Sequence, residues 1–253
     1  MKTIRVAHLY YDLMNLYGEN GNIRFLKRVI NDQGYDVKVT KLTIGDKIEF
    51  TNFDFFYIGC GNDENLMLVL KDMKKYKKAI KKSLDEGRFF LATGNSVELF
   101  GTVIFNEDNN SPGNLLPVEG LGIFNYHCPL EKERIVGEQY YETSCIKEKI
   151  IGFQNRNHSI EGCKDNLFTV INGNGYNTNE NGFEGIHCNN FYGTYLLGPI
   201  LVRNPYFTDY LVKNLFKKLK IKYTKPDYNL VWYKAYEEYL NNFYSEENKK
   251  GTE

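Results

Sequence analysis

The chain has 253 residues, 42% of them hydrophobic and 15% aromatic, which is enough to bury a sizeable core and excludes disorder as a class. Its 32 basic and 32 acidic side chains give a formal net charge of zero, so the charge gives no reason to expect nucleic acid or a membrane surface as partner. No apolar stretch approaches the roughly 20 residues that span a bilayer, and the first residues run into a strand pattern, not a signal peptide.

In chain order, residues 4–10 read as a buried strand. Residues 22–32 carry Ile23, Leu26, Val29 and Ile30 at helical spacing, and Gly34 follows as a stop signal. Residues 36–42 alternate in strand fashion, and the apolar run 53–58 ends in Gly59-Cys60-Gly61. A lysine-rich helix is predicted over 66–86, stopped by Gly87, and 89–93 form the next strand. Strands alternating with helices predict an α/β fold with a mostly parallel sheet flanked by helices. Sites in such folds lie beyond the carboxyl ends of the strands, where Gly59-Cys60-Gly61 and Gly94-Asn95 fall.

From about 102 to 196 the pattern changes to short strands, 135–143, 167–172 and 190–196, separated by Gly/Asn-rich turns. This predicts a β-rich continuation of the same sheet system in the C-terminal half. Residues 206–220 read as a helix, and Leu230, Tyr233, Tyr236, Leu240 and Phe243 recur at helical spacing in a last one. The polar tail 245–253 is expected to fray. Neither a repeat nor a linker divides the chain, so 1–225 is taken as one domain and 226–253 as a C-terminal helix and tail. Five cysteines, at 60, 128, 145, 163 and 188, include no Cys-x-x-Cys pair. That spacing predicts reduced thiols in a cytoplasmic protein and no metal site.

Residues 89–101 have the layout of a nucleophile elbow: an apolar strand, a sharp break at Gly94-Asn95-Ser96, then a helix beginning near Val97. The lifted residue of such an elbow is Cys or Ser, and here the position is Gly94. A glycine keeps the elbow shape without a Cβ, so a positive φ is predicted at Gly94, with Thr93 still in the strand and Val97 already helical.

Three segments carry a family resemblance: Phe56-Tyr57-Ile58-Gly59-Cys60-Gly61-Asn62-Asp63, the elbow at 91–101, and Glu184-Gly185-Ile186-His187 followed by Gly193-Thr194-Tyr195-Leu196-Leu197-Gly198-Pro199-Ile200-Leu201. Their order and spacing resemble the class I (triad) glutamine amidotransferases of the cobyric-acid-synthase-like branch, and within it the GatD-type subunits of lipid II isoglutaminyl synthase. Leu13, Asn15, Leu16 and Tyr17 with Gly21-Asn22-Ile23 fit the same pattern, which extends over about residues 4–225. The resemblance implies a flavodoxin-like α/β fold and hydrolysis of the glutamine side-chain amide. An elbow cysteine would attack, a histidine on a later strand would act as base, and backbone N–H groups of the turn Gly59, Cys60 and Gly61 and of Asn95 would hold the oxyanion. It also implies a MurT-like Mur ligase as partner, peptidoglycan precursor amidation as process, and no cofactor.

This sequence departs from the pattern at both central positions. Gly94 stands for the nucleophile and Leu197 for the base, so the resemblance predicts a degenerate subunit without glutaminase activity. Asn157-His158 stand where the family tends to have a Gly-Gly pair. Arg134 stands where the resembled subunit has an arginine implicated in substrate binding, glutamine being the implied ligand. The alternatives are an active amidotransferase with a relocated Cys60/His187 dyad, and a ligand- or protein-binding module of unrelated role. Ser96 is expected to cap N–H groups of the first helical turn. His8, His127 and His158 show no partner spacing and read as structural. The lysines between 71 and 82 read as a solvated face, and Tyr233, Tyr236 and Phe243 as a stripe packing back on the domain.

Overall fold

The computed structural model describes residues 2–108, 111, 113–173 and 182–244; the expected frayed tail 245–253 lies outside them. The first half builds β1 (Thr3–Leu9), α1 (Asn20–Asp32), β2 (Asp36–Leu42), β3 (Phe55–Ile58), α2 (Asp63–Met73), α3 (Lys77–Asp85) and β4 (Phe89–Thr93). Then come β5 (Val103–Glu107), β6 (Leu115–Glu119), β7 (His127–Cys128), β8 (Leu130–Glu142), β9 (Ile150–His158), β10 (Asn166–Asn172), β11 (Phe183–Cys188) and β12 (Phe191–Thr194). Helices α4 (Ile200–Arg203), α5 (Pro205–Leu219) and α6 (Val231–Tyr244) close the chain.

Nine strands form one sheet in the order β2-β1-β3-β4-β12-β11-β10-β8-β9. The first five run parallel, and β11, β10, β8 and β9 add on antiparallel. The α/β expectation with its β-rich second half therefore holds for this sheet. β6-β5-β7 form a separate small sheet instead of continuing the main one.

β3 and β4 are buried at every position because helices cover both faces. Alternate residues feed two cores. Phe56, Ile58, Phe90 and Ala92 pack with Leu66, Val69, Leu70, Met73 and Ile80 of α2 and α3. Phe55, Tyr57, Phe89 and Leu91 pack with Ile23, Leu26, Val29 and Ile30 of α1 and with Phe207, Leu211 and Leu215 of α5.

The lysine-rich helix is two helices, broken by a single 3-10 turn over Lys74–Tyr76. The helix expected after the elbow is a 3-10 stretch, Gly94–Phe100, and not an α-helix. In α6, Tyr233 and Tyr236 are buried: Tyr233 donates to Asp209 and Tyr236 donates to the Lys149 carbonyl at 2.6 Å. Phe243 breaks the expected stripe, standing 64% exposed. No helix among the described residues is long and apolar enough to cross a membrane.

The antiparallel half curls back over the carboxyl ends of the parallel strands. Leu197, just past β12, exchanges backbone hydrogen bonds with Phe153 of β9. Gly152 permits this approach, since a Cβ there would come 2.9 Å from Leu196 Cδ1. Gly185 is more constrained still. Its φ is +72°, and an added Cβ would lie 2.7 Å from the Gly193 carbonyl of β12. Gly185→Ala is therefore expected to cost about 1–3 kcal/mol, read as a lowered urea midpoint with unchanged slope.

Candidate functional site

Three turns meet at the carboxyl end of the parallel strands: Gly59-Cys60-Gly61 after β3, Gly94-Asn95 after β4, and Leu197 beyond β12. Gly94 has φ +62°, with Thr93 the last residue of β4. This is the elbow backbone expected of a residue whose side chain would be lifted into a site. A Cβ built at Gly94 would stand 2.5 Å from Cys60 Cβ, 2.7 Å from Cys60 Sγ and 2.8 Å from Leu197 Cδ2. The structure thus brings positions 94 and 197 face to face, and the volume a side chain at 94 would need is filled by Cys60 and Leu197.

Asn95 clamps the two turns together. Its Oδ1 accepts from the Gly61 N–H at 3.0 Å, and its Nδ2 donates to the Gly61 carbonyl at 2.9 Å. The Gly61 N–H, a donor of the expected oxyanion turn, is thereby occupied. Ser96 does not cap N–H groups as expected. Its hydroxyl donates to the Thr93 and Ile58 carbonyls, at 2.8 and 3.2 Å, and is buried.

Cys60 is buried, and that burial pushes its thiol up to about 12. Its sulfur donates to the Gly61 carbonyl at 3.6 Å. His187 does not join it. That ring sits on β11, stacks on Tyr192 at 4.5 Å, and contacts Cys145 and the Asn189 carbonyl. The Cys60/His187 pair is therefore not assembled: His187 pairs with Tyr192, whose own partner is Leu91, upstream of the elbow in β4.

A cavity of about 280 Å³ opens over these turns, lined on one side by Cys60, Asn95 and Asp63 and on the other by Arg134, Asn155 and His158. Arg134 lies within β8, beside its register irregularity, and not ahead of the strand. It donates from Nε to Asn155 and from Nη1 to Asn157 Oδ1 at 3.2 Å. Asn155 in turn donates to the Tyr17 hydroxyl at 2.8 Å.

The cavity also holds an ion pair that sequence patterning missed. His158 Nδ1 stands 3.2 Å from Glu98 Oε2, and His158 Nε2 lies 3.2 Å from the Phe105 carbonyl. Burial by itself would lower the His158 imidazole, but the adjacent Glu98 carboxylate outweighs it and raises it. His158 read as structural because no motif spacing links positions 98 and 158. Only the curl of β9 over the elbow joins them.

Behind the elbow, Glu19 is fully buried and accepts from Tyr57 at 2.7 Å and from the Thr93 hydroxyl. Asn22 donates to Tyr57 at 2.8 Å and accepts from the Leu201 N–H at 2.8 Å, tying α4 to the same network. His8 is buried nearby, 5.3 Å from Tyr57, and burial together with Lys41 lowers it to about 4. His127 is at the surface, 3.3 Å from Glu161.

Residues 5–205 match the model of the CobB/CobQ-like glutamine amidotransferase domain. The chain belongs to this family. GatD, a subunit of the glutamine-hydrolyzing lipid II isoglutaminyl synthase of Staphylococcus aureus, is 30% identical over 223 residues, covering 88% of each chain. The GatD subunit of Streptococcus pneumoniae is 30% identical over 247 residues, covering 96% of this chain and 90% of that one. Among solved structures, a Thermotoga maritima glutamine amidotransferase shares the fold with a TM-score of 0.50 at 13% identity, covering 88% of this chain and 87% of that one. Another glutamine amidotransferase has a TM-score of 0.53 at 12% identity, covering 85% and 99%.

Two outcomes are expected here. Gly94→Cys should destabilise by about 2–4 kcal/mol, combining positive-φ strain with overpacking against Cys60. Gly94→Cys with Cys60→Gly should recover a measurable part of that in urea unfolding. Second, burial raises Glu19 to about 7. A carboxyl raised above its unfolded value gives stability that is present at low pH and lost as pH rises through the folded value. Relative to Glu19→Gln, the parent should lose on the order of 1–3 kcal/mol between pH 5 and 8, read from melting curves of both proteins across that range.

Proposed function

We propose that this chain is the amidotransferase-like subunit of an assembly that amidates the peptidoglycan precursor lipid II, and that it does not hydrolyse glutamine itself. Its partner on this reading is a MurT-like Mur ligase, and its place is the cytoplasm. The observation that carries the reading is the filled elbow: Cys60 and Leu197 occupy the space a nucleophile at 94 would need. The assembly half rests on the two GatD relatives, each named as a subunit of lipid II isoglutaminyl synthase and each similar over most of its length.

Amide hydrolysis by this fold needs a thiol that loses its proton to a nearby imidazole as it attacks. Gly94 offers no thiol, and the isobutyl group of Leu197 accepts no proton. The Gly61 N–H already bonds Asn95 and so is not free for a developing oxyanion. Losing nucleophile and base together leaves at most the residual rate that binding supplies. The polar cavity remains. Arg134 at its rim suits the carboxylate of a small zwitterion such as glutamine, bound without being cleaved.

A relocated active centre on Cys60 is the second reading, and the geometry counts against it. His187 is elsewhere, and both ring nitrogens of His158 are engaged, by Glu98 and by the Phe105 carbonyl.

The test has two arms. Ammonia release from glutamine should stay at background for the protein alone and with its ligase, and Cys60→Ala should change nothing. Release above background that Cys60→Ala abolishes would overturn the degenerate reading. Co-expression with a MurT-like Mur ligase should give a complex on size exclusion, and two separate peaks would remove the partner half.

A further inference from the structure

Away from the elbow cavity, a thiol faces an imidazole at Cys145 and His187. Cys145 lies in the loop between β8 and β9, half-buried against α5. Its Sγ is 3.8 Å from His187 Nδ1. His187 Nε2 is 3.1 Å from the Asn189 carbonyl, which can only accept. That carbonyl fixes the ring proton on Nε2 and leaves Nδ1 as an acceptor aimed at the sulfur. Stacking on Tyr192 holds the ring plane, and Tyr210 of α5 lines the same cavity as the sulfur. A thiol and a base oriented by a third group are what an activated thiol requires.

The sulfur is also reachable. It lines an open cavity of about 520 Å³, within the size range of small-molecule clefts. The charged groups facing that cavity are Glu148 of the loop, Asp209 and Lys213 of α5, and Lys225 beyond it. They are balanced in sign, so no ligand charge is favoured strongly. The other thiols lack this setting. Cys60 and Cys128 are buried, Cys163 donates to the Asp165 carbonyl at 3.6 Å, and burial raises Cys188.

We propose that Cys145 is a modification site, exchanging with low-molecular-weight disulfides to form a mixed disulfide with His187 as its base. The Cys145 proton passes to His187 Nδ1. The thiolate then attacks one sulfur of the disulfide, an S–S bond forms to Cys145 as the original S–S bond breaks, and the leaving thiolate takes the proton back from the imidazolium. The disulfide is the oxidant, and one of its halves leaves reduced as a free thiol.

The probe is oxidised glutathione on the folded protein, with adducts located by peptide mass spectrometry. Cys145 should be modified about tenfold or more faster than Cys163 or Cys188, as expected of a thiol with an oriented base. His187→Gln should slow Cys145 about tenfold while leaving Cys163 unchanged. Alkylation of the parent by iodoacetamide across pH 6 to 9 should show Cys145 reacting at lower pH than an ordinary thiol. Equal rates at Cys145 and Cys163, or an unchanged Cys145 rate in folded His187→Gln, would overturn the proposal. If that variant does not fold, an ordinary-thiol pH profile for Cys145 in the parent overturns it alone.

Discussion

The close approach of the turns after β3 and β4 is the constraint on which the site depends. Two turns so near leave room for one side chain between them. Here that side chain belongs to Cys60, with Leu197 closing the third side, and Gly94 can only be a residue without a Cβ. The positive φ at Gly94 costs a glycine little, so the elbow persists without the strain a nucleophile would bring. Asn95 then uses both ends of its amide on Gly61, which locks the turns at this separation. Gly59 and Gly61 fit the same packing: a Cβ on either would fall 2.5 Å from Met14 atoms.

A buried polar network supports these turns from behind. Glu19, Tyr57, Thr93 and Asn22 join the loop before α1 to β3, β4 and the start of α4. Buried networks of this kind hold their members in place, because breaking any link leaves a desolvated group without its partner. Glu184 plays the same part for β11 and β12, accepting from Thr194 at 2.8 Å and from the Tyr195 N–H at 2.7 Å. Burial raises both carboxyls to about 7. The network behind the elbow is thus coupled to proton uptake near neutral pH, although the elbow itself carries no titrating nucleophile.

The front wall of the cavity comes from the antiparallel half. β8 and β9 curl over the carboxyl ends of the parallel strands and deliver Arg134, Asn155 and His158 opposite Cys60. On the proposed reading, these residues keep a polar binding surface after the hydrolytic pair has gone. That surface is built from hydrogen bonds between strands and not from the elbow, so losing the elbow side chain does not dismantle it.

Much of this was legible from local patterning. Apolar runs bounded by glycines marked β3 and β4, helical spacing marked α1 and α5, and Gly94 announced the positive-φ turn after β4. Each of these signals lies within a few residues, where backbone conformation and side-chain period act directly. What the chain did not disclose depends on contacts across long separations. The lysine-rich segment reads as one helix because its period hardly changes across the 3-10 turn at Lys74–Tyr76. Ser96 was expected to cap N–H groups, but the carbonyls of Thr93 and Ile58 converge on it in the folded chain. Glu98 with His158, Cys145 with His187, and Cys60 filling the space beside Gly94 join residues 34 to 60 positions apart. The sequence by itself determined the elements, the sheet's change of character and the missing side chain at 94. The tertiary structure alone decided which side chains meet, because that depends on how the antiparallel strands fold back over the parallel ones.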